Sequence, residues 1–508
     1  MKRLSAPPQA VLCTIFAAAM LSVFLLAVPA AGYPAISPLK YRLFLALFGI
    51  LVGGCVLLTA ELFLLSPHPL SRPHRPAPEV VCVLLYLFFT ALSAAFSPYP
   101  GVLLGSGRQD GLLTISLYVL AFLLLRRHFR PARWLLALAG GSMCLYCLLG
   151  LVQLTGANPF LLYTAGHNYY GAGQLYNGAF WSTTGNTNLC AAILSAAAGL
   201  FLAAVIRAER RRSWLLLLPL CLTVFSIFSL NVESALAALL VGLLLLPLFV
   251  VTRGSHLQNL AFAYGSLALT AALARCITFF DGGLTFSPRR SALLLAAAGL
   301  TLLLTGALLA RSGAISSLDP KKLRRWLALL TAAVLLLSLL FLYFYNSFPD
   351  GFLAQAHELL HGHWDDRFGS GRLRIWREAL ALVREHPLFG GGPDTLGLRG
   401  LSPSTRYHEG LGITIRAVPD AAHNEFLNIL VNQGALALLA YLALLIFCAV
   451  RWWRAGSEND SAAPLAGAAA CFYLLQSFFG VSTCFTTPYL WLALAAVNNI
   501  NSRKDDTP

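Results

Sequence analysis

Long apolar runs alternate with short polar connections from one end of the chain to the other. The runs fall near residues 11–31, 41–66, 79–97, 112–125, 134–155, 187–206, 214–230, 234–252, 259–279, 291–310, 326–346, 423–450, 464–480 and 486–500. Most are long enough to cross about 30 Å of hydrocarbon, so they predict transmembrane helices. The first run follows Met1-Lys2-Arg3 and alone would pass for a secretory signal; the many later runs favour an uncleaved first span. One connection, Asn346 to Ala422, is far longer than the rest. The expected fold is an all-α, polytopic transmembrane helix bundle of about 12–14 spans. It carries one long extracytoplasmic loop containing an amphipathic helix. The expected division is 1–346, an N-terminal transmembrane bundle; 347–422, the extracytoplasmic loop; and 423–508, C-terminal transmembrane helices, all one membrane domain.

Composition agrees with this pattern. The chain has 508 residues, 58% hydrophobic and 11% charged, whereas a soluble chain is about a quarter charged. A net charge of +15 would suggest nucleic acid in a soluble protein. Here the basic clusters occupy alternate connections: Arg72/Arg75, "RRHFRPAR" (126–133), "RAERRR" (207–212), "KKLRR" (321–325) and "RWWR" (451–454), with Lys2-Arg3 and Arg503-Lys504 at the ends. The positive-inside rule then puts both termini in the cytoplasm and the long connection outside it. The charge reads as topology signal and anionic-lipid contact, with no nucleic-acid partner. The eleven cysteines lie in or beside apolar segments. Cys144 and Cys147 share a helix face within one span, and small buried apolar residues account for the set.

The long connection looks partly structured. In "SGRLRIWREALALVREHP" (370–387), Ser370 is a candidate N-cap and Pro387 a stop. Leu373, Trp376, Leu380 and Val383 make an apolar stripe, and Arg372, Arg374, Arg377 and Arg384 crowd the other surface. Such a helix would lie in the outer membrane interface. The following "LFGGGPD" (388–394) is a glycine turn, or an anion nest if its N–H groups converge. "HGHWDD" (361–366) is either a solvated loop or a metal-like string. Other outer connections are polar. "SPYPGVLLGSGRQDG" (97–111) carries Arg108 and Asp110. "GHNYYGAGQLYNGAFWSTTGNTN" (166–188) is aromatic and amide-rich, a composition suited to sugar. Glu233 starts a span, Arg289 and Arg290 end an outer loop, and Arg275 lies within an apolar run. Arg275 is a functional candidate or a partner of Asp281.

"AHNEFLNILVNQG" (422–434) opens an apolar run with a histidine. If Asp420 caps a helix from Ala421, His423 lies in the first turn. The helix dipole would then hold it neutral. Gly434, eleven residues on, would sit about 20° away on the same face, where it permits close packing. Alone, such a histidine is also readable as an interfacial anchor. Guanidinium groups at a membrane face bind phosphate and pyrophosphate, and a neutral histidine can take a hydroxyl proton. Together they suggest group transfer from a lipid pyrophosphate to an alcohol, with arginines neutralising the leaving group.

At these residues the sequence resembles the O-antigen ligase and polymerase family of bacterial membrane glycosyltransferases. The carriers are His423-Asn424 with Gly434, "GRLRIWREALALVREHPLFGGGPDTLG" (371–397), "WSTTGNTNLCA" (181–191) and "GSGRQDGLL" (105–113). The resemblance implies transfer or polymerisation of a glycan from an undecaprenyl-pyrophosphate carrier onto a hydroxyl acceptor (lipid, glycan or protein). The reaction would take place outside the cytoplasm at the bacterial cytoplasmic membrane, inverting and without cofactor or metal. It implies His423 as the catalytic base and Arg372 as a pyrophosphate contact. Arg374, Arg108, Arg275, Arg289 and Arg290 are further candidates for the pyrophosphate. Asn424, Gly434, Trp376, Asn186 and Asn188 would support the glycan or the site. One position departs from the family: where a serine-arginine pair is common, this chain reads Val232-Glu233. The alternatives are a transporter or flippase of lipid-linked glycans, or a non-catalytic subunit of a surface-polysaccharide assembly.

Overall fold

The structure is a computed structural model, and it describes residues 7–65, 76–162, 180–209, 211–280, 282–312, 319–348, 351–408, 413–455 and 462–500. Lys2, Arg3, Arg72, Arg75, Asp281, Arg503, Lys504 and most of the amide-rich connection, 166–179, lie outside the described residues.

Each of the fourteen apolar runs forms helix. In chain order these are α1 (Pro8–Ala19, continued by a π turn to Phe24), α2 (Ile36–Leu65), α3 (Pro78–Ala95), α4 (Leu112–His128), α5 (Arg133–Gln153), α6 (Thr187–Ile206) and α7 (Leu217–Leu230). Then come α8 (Glu233–Leu245) with the short α9 (Pro247–Val250), α10 (Gly254–Cys276), α11 (Arg290–Ser312) and α12 (Pro320–Phe344). The long connection contributes α13 (Phe352–Leu360) and α14 (Phe368–Val383). The chain closes with α15 (Glu425–Ala455), α16 (Ala463–Ser477) and α17 (Thr487–Val497). Among the described residues, nine helices are long and apolar enough to cross a membrane. Strand among the described residues is confined to three antiparallel pairs: β1 (Phe180–Trp181) with β2 (Gly185–Asn186), β3 (Ile277–Phe280) with β4 (Gly283–Phe286), and β5 (Ser404–His408) with β6 (Ile413–Ala417). The expected all-α polytopic bundle is the fold observed.

The bundle is built around α6, whose alanine-rich surface lets neighbours approach on every side. Its most apolar window is 89% buried, against 6% for α12. A Cβ at Gly199 would stand 2.4 Å from the Ala468 carbonyl oxygen of α16, so glycine is needed for that contact. Asn186 caps α6 by accepting from the Asn188 N–H at 2.8 Å.

The long connection differs from its expected form in two respects. Ser370 does not cap a helix: Gly369, Ser370 and Gly371 all take left-handed φ values of 61°, 60° and 83°, and regular helix begins at Arg372. Glycines at two of the three positions make that turn accessible. Of the expected apolar stripe, Leu373 is buried but Leu380 is 51% exposed. The buried face runs through Leu373, Ile375 and Ala379, because the helix packs onto the start of α15 through Ala379, Leu396, Ala422 and Val431. It thus docks on protein, where a lipid-facing stripe was expected. The Gly390–Gly392 stretch is the glycine turn, and its alternative, an anion nest, is excluded. The Gly391 N–H donates to the Val431 carbonyl (3.1 Å) and the Gly392 N–H to that of Asn432 (2.7 Å).

These carbonyls are available because α15 is broken. Gly434 has φ 86° and ψ 175°, which interrupts the helical ladder. The next two amides turn outward as well: Ala435 N–H donates to the Pro387 carbonyl (2.9 Å) and Leu436 N–H to that of Leu388 (3.3 Å). Residues 387–392 therefore fill the break, exchanging four hydrogen bonds with it. The expected angular relation of Gly434 to His423 does not hold, because regular helix begins only at Glu425. The close partner of Gly434 is the Leu388–Phe389 backbone rather than a second helix.

Candidate active site

Three distant segments converge ahead of α15. The first is the connection before α4. Its Gly107, Arg108 and Asp110 N–H groups close around one oxygen of Asp394 at 3.1, 2.8 and 3.4 Å. The Ser106 hydroxyl bonds the Asp394 carbonyl. A Cβ on Gly105 would meet the same carboxylate oxygen at 2.5 Å, so this glycine is required for the wrap. Successive N–H groups make an anion-binding concavity, and here its occupant is a side chain of the long connection. Thus anchored, Arg108 reaches Asp420 at 2.7 Å.

The second segment is α14. The half-buried Arg372 donates to the Gly369 carbonyl at 3.0 Å, while its Nε is buried and has no hydrogen-bond partner in the protein. Burial lowers its pKa, and the Glu233 carboxylate at the start of α8 opposes that shift. The position that departs from the family pattern therefore places a negative charge near Arg372. One turn along, Trp376 donates its indole N–H to the Ala422 carbonyl at 2.9 Å.

The third segment carries His423. Asp420, expected as the N-cap, is paired with Arg108. The cap is Asn424, whose side-chain oxygen accepts from the Leu427 N–H at 3.0 Å. His423 thus lies ahead of the helix, with φ 50°, a strained value for a residue with a side chain. Ala422 is fixed on both sides to hold it, by Trp376 at its carbonyl and by the Asn428 side-chain oxygen at its N–H (3.2 Å). The His423 pKa is pushed down to about 4, first by burial, then by Arg108 and Arg372, with Asp420 opposing. The imidazole is neutral near pH 7. Burial and arginine charge account for this, where the helix dipole was expected to.

Below it, Asp110 and Glu425 line a small cavity with Tyr118 and Ser482. Burial and Asp394 push the Asp110 carboxyl up to about 7.

The structure brings together His423, Arg108, Arg372 and Trp376 from the sequence candidates, with Asn424 and Gly434 shaping the backbone around them. Arg374 turns to the Ser402 carbonyl at 3.0 Å. The exposed Arg289 bonds Thr278 on β3 at 3.4 Å, and Arg275 and Arg290 flank the same hairpin. The backbone carbonyl of Asn188 accepts from Gln476, which also reaches Ser234 beside Glu233. In "HGHWDD", His363 pairs with Glu358, Asp365 with Arg367 and Asp366 with Arg377. Asp394 and Asp420 were missed as site residues. The glycines around "GSGRQDG" were the only local sign that a loop there wraps something.

Residues 276–442 match the family model described as O-Antigen ligase. No curated protein matches the chain. The matched third of the chain contains Arg372, Trp376, Asp394, Asp420, His423 and Gly434; Arg108 and Glu233 lie upstream of it.

Proposed function

As a chain that carries this domain and belongs to the O-antigen ligase/polymerase family of membrane glycosyltransferases, the protein is, we propose, a transferase that moves a glycan from an undecaprenyl-pyrophosphate carrier onto a hydroxyl acceptor. The acceptor is a lipid, a second glycan or a protein side chain. The reading is carried by one observation: His423, held at a left-handed turn by the bonds that fix Ala422, lies where the Arg108 and Arg372 guanidinium groups, from segments far apart in the chain, act on it.

In this reading the acceptor hydroxyl hydrogen-bonds to His423, which takes its proton as the oxygen attacks the anomeric carbon. The bond from that carbon to the pyrophosphate oxygen breaks. Attack opposite the leaving group inverts the centre. Arg108 and Arg372 stabilise the charge growing on the departing pyrophosphate, Arg108 exchanging Asp420 for phosphate oxygens. The proton on His423 then passes to the released pyrophosphate or to water. Trp376 and Asn428 keep the imidazole in place through Ala422. The basic clusters support an orientation with both termini cytoplasmic and this chemistry on the opposite face.

The test is transfer by purified His423→Ala with a defined lipid-linked donor. Loss of a general base predicts a fall of about 10²–10⁴-fold. Near-normal transfer with correct folding would remove the role of His423.

A further inference from the structure

The helix between α12 and the site leaves an apolar face uncovered. In α13 no residue is buried. Phe352, Leu353, Leu359 and Leu360 are 37%, 54%, 38% and 44% exposed. At about 100° per residue these four fall within about 120° of one another, while Gln355 and Glu358 point elsewhere. Trp364, just beyond the helix, is 56% exposed.

What covers this face follows from where it sits. The apolar span α12 is almost bare of protein contact, with Leu336, Leu337, Leu339, Phe341 and Phe344 exposed toward its end, a surface suited to acyl chains. α13 is fastened to that end. The His357 ring bonds the Leu342 carbonyl at 2.7 Å, and His361 stacks on Tyr343 at 4.5 Å. α13 thus sits against the exposed apolar end of α12 through His357 and His361, and its own apolar face is left uncovered beside it. Nearby, Arg367 and Arg377 are exposed and paired with Asp365 and Asp366, so the surface next to the helix is polar, as at a membrane interface.

We propose that α13 is an interfacial helix resting on the bilayer, with Leu353, Leu359, Leu360 and Trp364 among the acyl chains and headgroups. The docked helix also sets the height of the site. Gln355 accepts from the Gly369 N–H at 2.8 Å, and the Gly369 carbonyl accepts from Arg372. Phe479 touches Phe352 on one side and stacks with Trp376 on the other.

Full-length protein in nanodiscs containing lipids brominated near the headgroup, with no glycan donor present, tests this through tryptophan quenching. Wild type should show a quenched component that Trp364→Phe lacks, and Leu353→Gln/Leu360→Gln should lose it too. The leucines are exposed, so their replacement leaves the fold intact, checked by an unchanged melting temperature. Equal quenching in wild type and Trp364→Phe would overturn the proposal, as would undiminished quenching in the leucine variant. Because no donor is used, neither result bears on glycan transfer.

Discussion

Gly434→Ala tests whether the break in α15 is required. At φ 86° and ψ 175° the backbone lies in a region nearly confined to glycine, and a side chain there costs about 1–3 kcal/mol. The new Cβ would also stand 2.2 Å from the Leu388 carbonyl oxygen, 2.4 Å from its carbon and 2.5 Å from the Phe389 nitrogen. All three are backbone atoms, so rotating a side chain relieves nothing. Segment 387–392 must retreat. Losing two of its four hydrogen bonds to the break removes about 1–3 kcal/mol more, at about 0.5–1.5 kcal/mol each. The sum is about 2–6 kcal/mol of local stability, or about 30-fold to 10⁴-fold faster amide exchange by opening. Hydrogen–deuterium exchange of peptides covering 387–392 and 431–436 reads this directly. Transfer activity should fall with it, since α14 and the His423 segment pack against the same joint. Exchange and activity matching wild type would refute the argument that this geometry needs glycine.

Other substitutions probe the site more locally. Trp376→Phe keeps the ring but leaves the buried Ala422 carbonyl without its donor; at about 1–3 kcal/mol the turnover rate should drop several-fold to about 10²-fold with KM little changed, measured by steady-state kinetics. An equal rise in KM would place Trp376 in substrate binding instead. Activity of the free enzyme against pH should persist below pH 6 and fail only as pH drops through about 4, where His423 gains its proton; a limb near 6.5 would contradict the burial argument. Asp110 has the opposite sense. Its folded pKa, about 7, lies above the unfolded value, so the native state binds more protons between the two and loses stability as pH rises through that window. Asp110→Asn should therefore raise the melting temperature more at pH 8 than at pH 5, and a pH-independent difference would count against it.

The helices were legible because long apolar runs write themselves into local composition: each became helix. His423, Arg372 and Trp376 were legible through spacing that resembles a known family. What lay beyond reading was the joining of distant segments. Both Asp420 and Asn424 can cap a helix, and the four-residue choice between them turned on Arg108, which claims Asp420 from 312 residues away. Glycine-rich "GGGP" reads equally as nest or turn until a broken helix supplies the carbonyls it serves. Asp394 showed no sign of its role, because the N–H groups that hold it belong to another loop. The rotation of α14 followed from the same cause: its neighbour is protein, so the face with small Ala379 goes inward and Leu380 outward.

The joint at Gly434 also limits how such a protein could be recombined. A cut at the apparent boundary between loop and span, near residue 422, would separate amides from the carbonyls they serve on the other side. A chimera that takes a relative's 347–422 would inherit Pro387–Gly392 without the broken helix shaped to receive it. A portable piece would run from the turn before Arg372 to just past Leu436, together with the 105–110 loop whose amides hold Asp394.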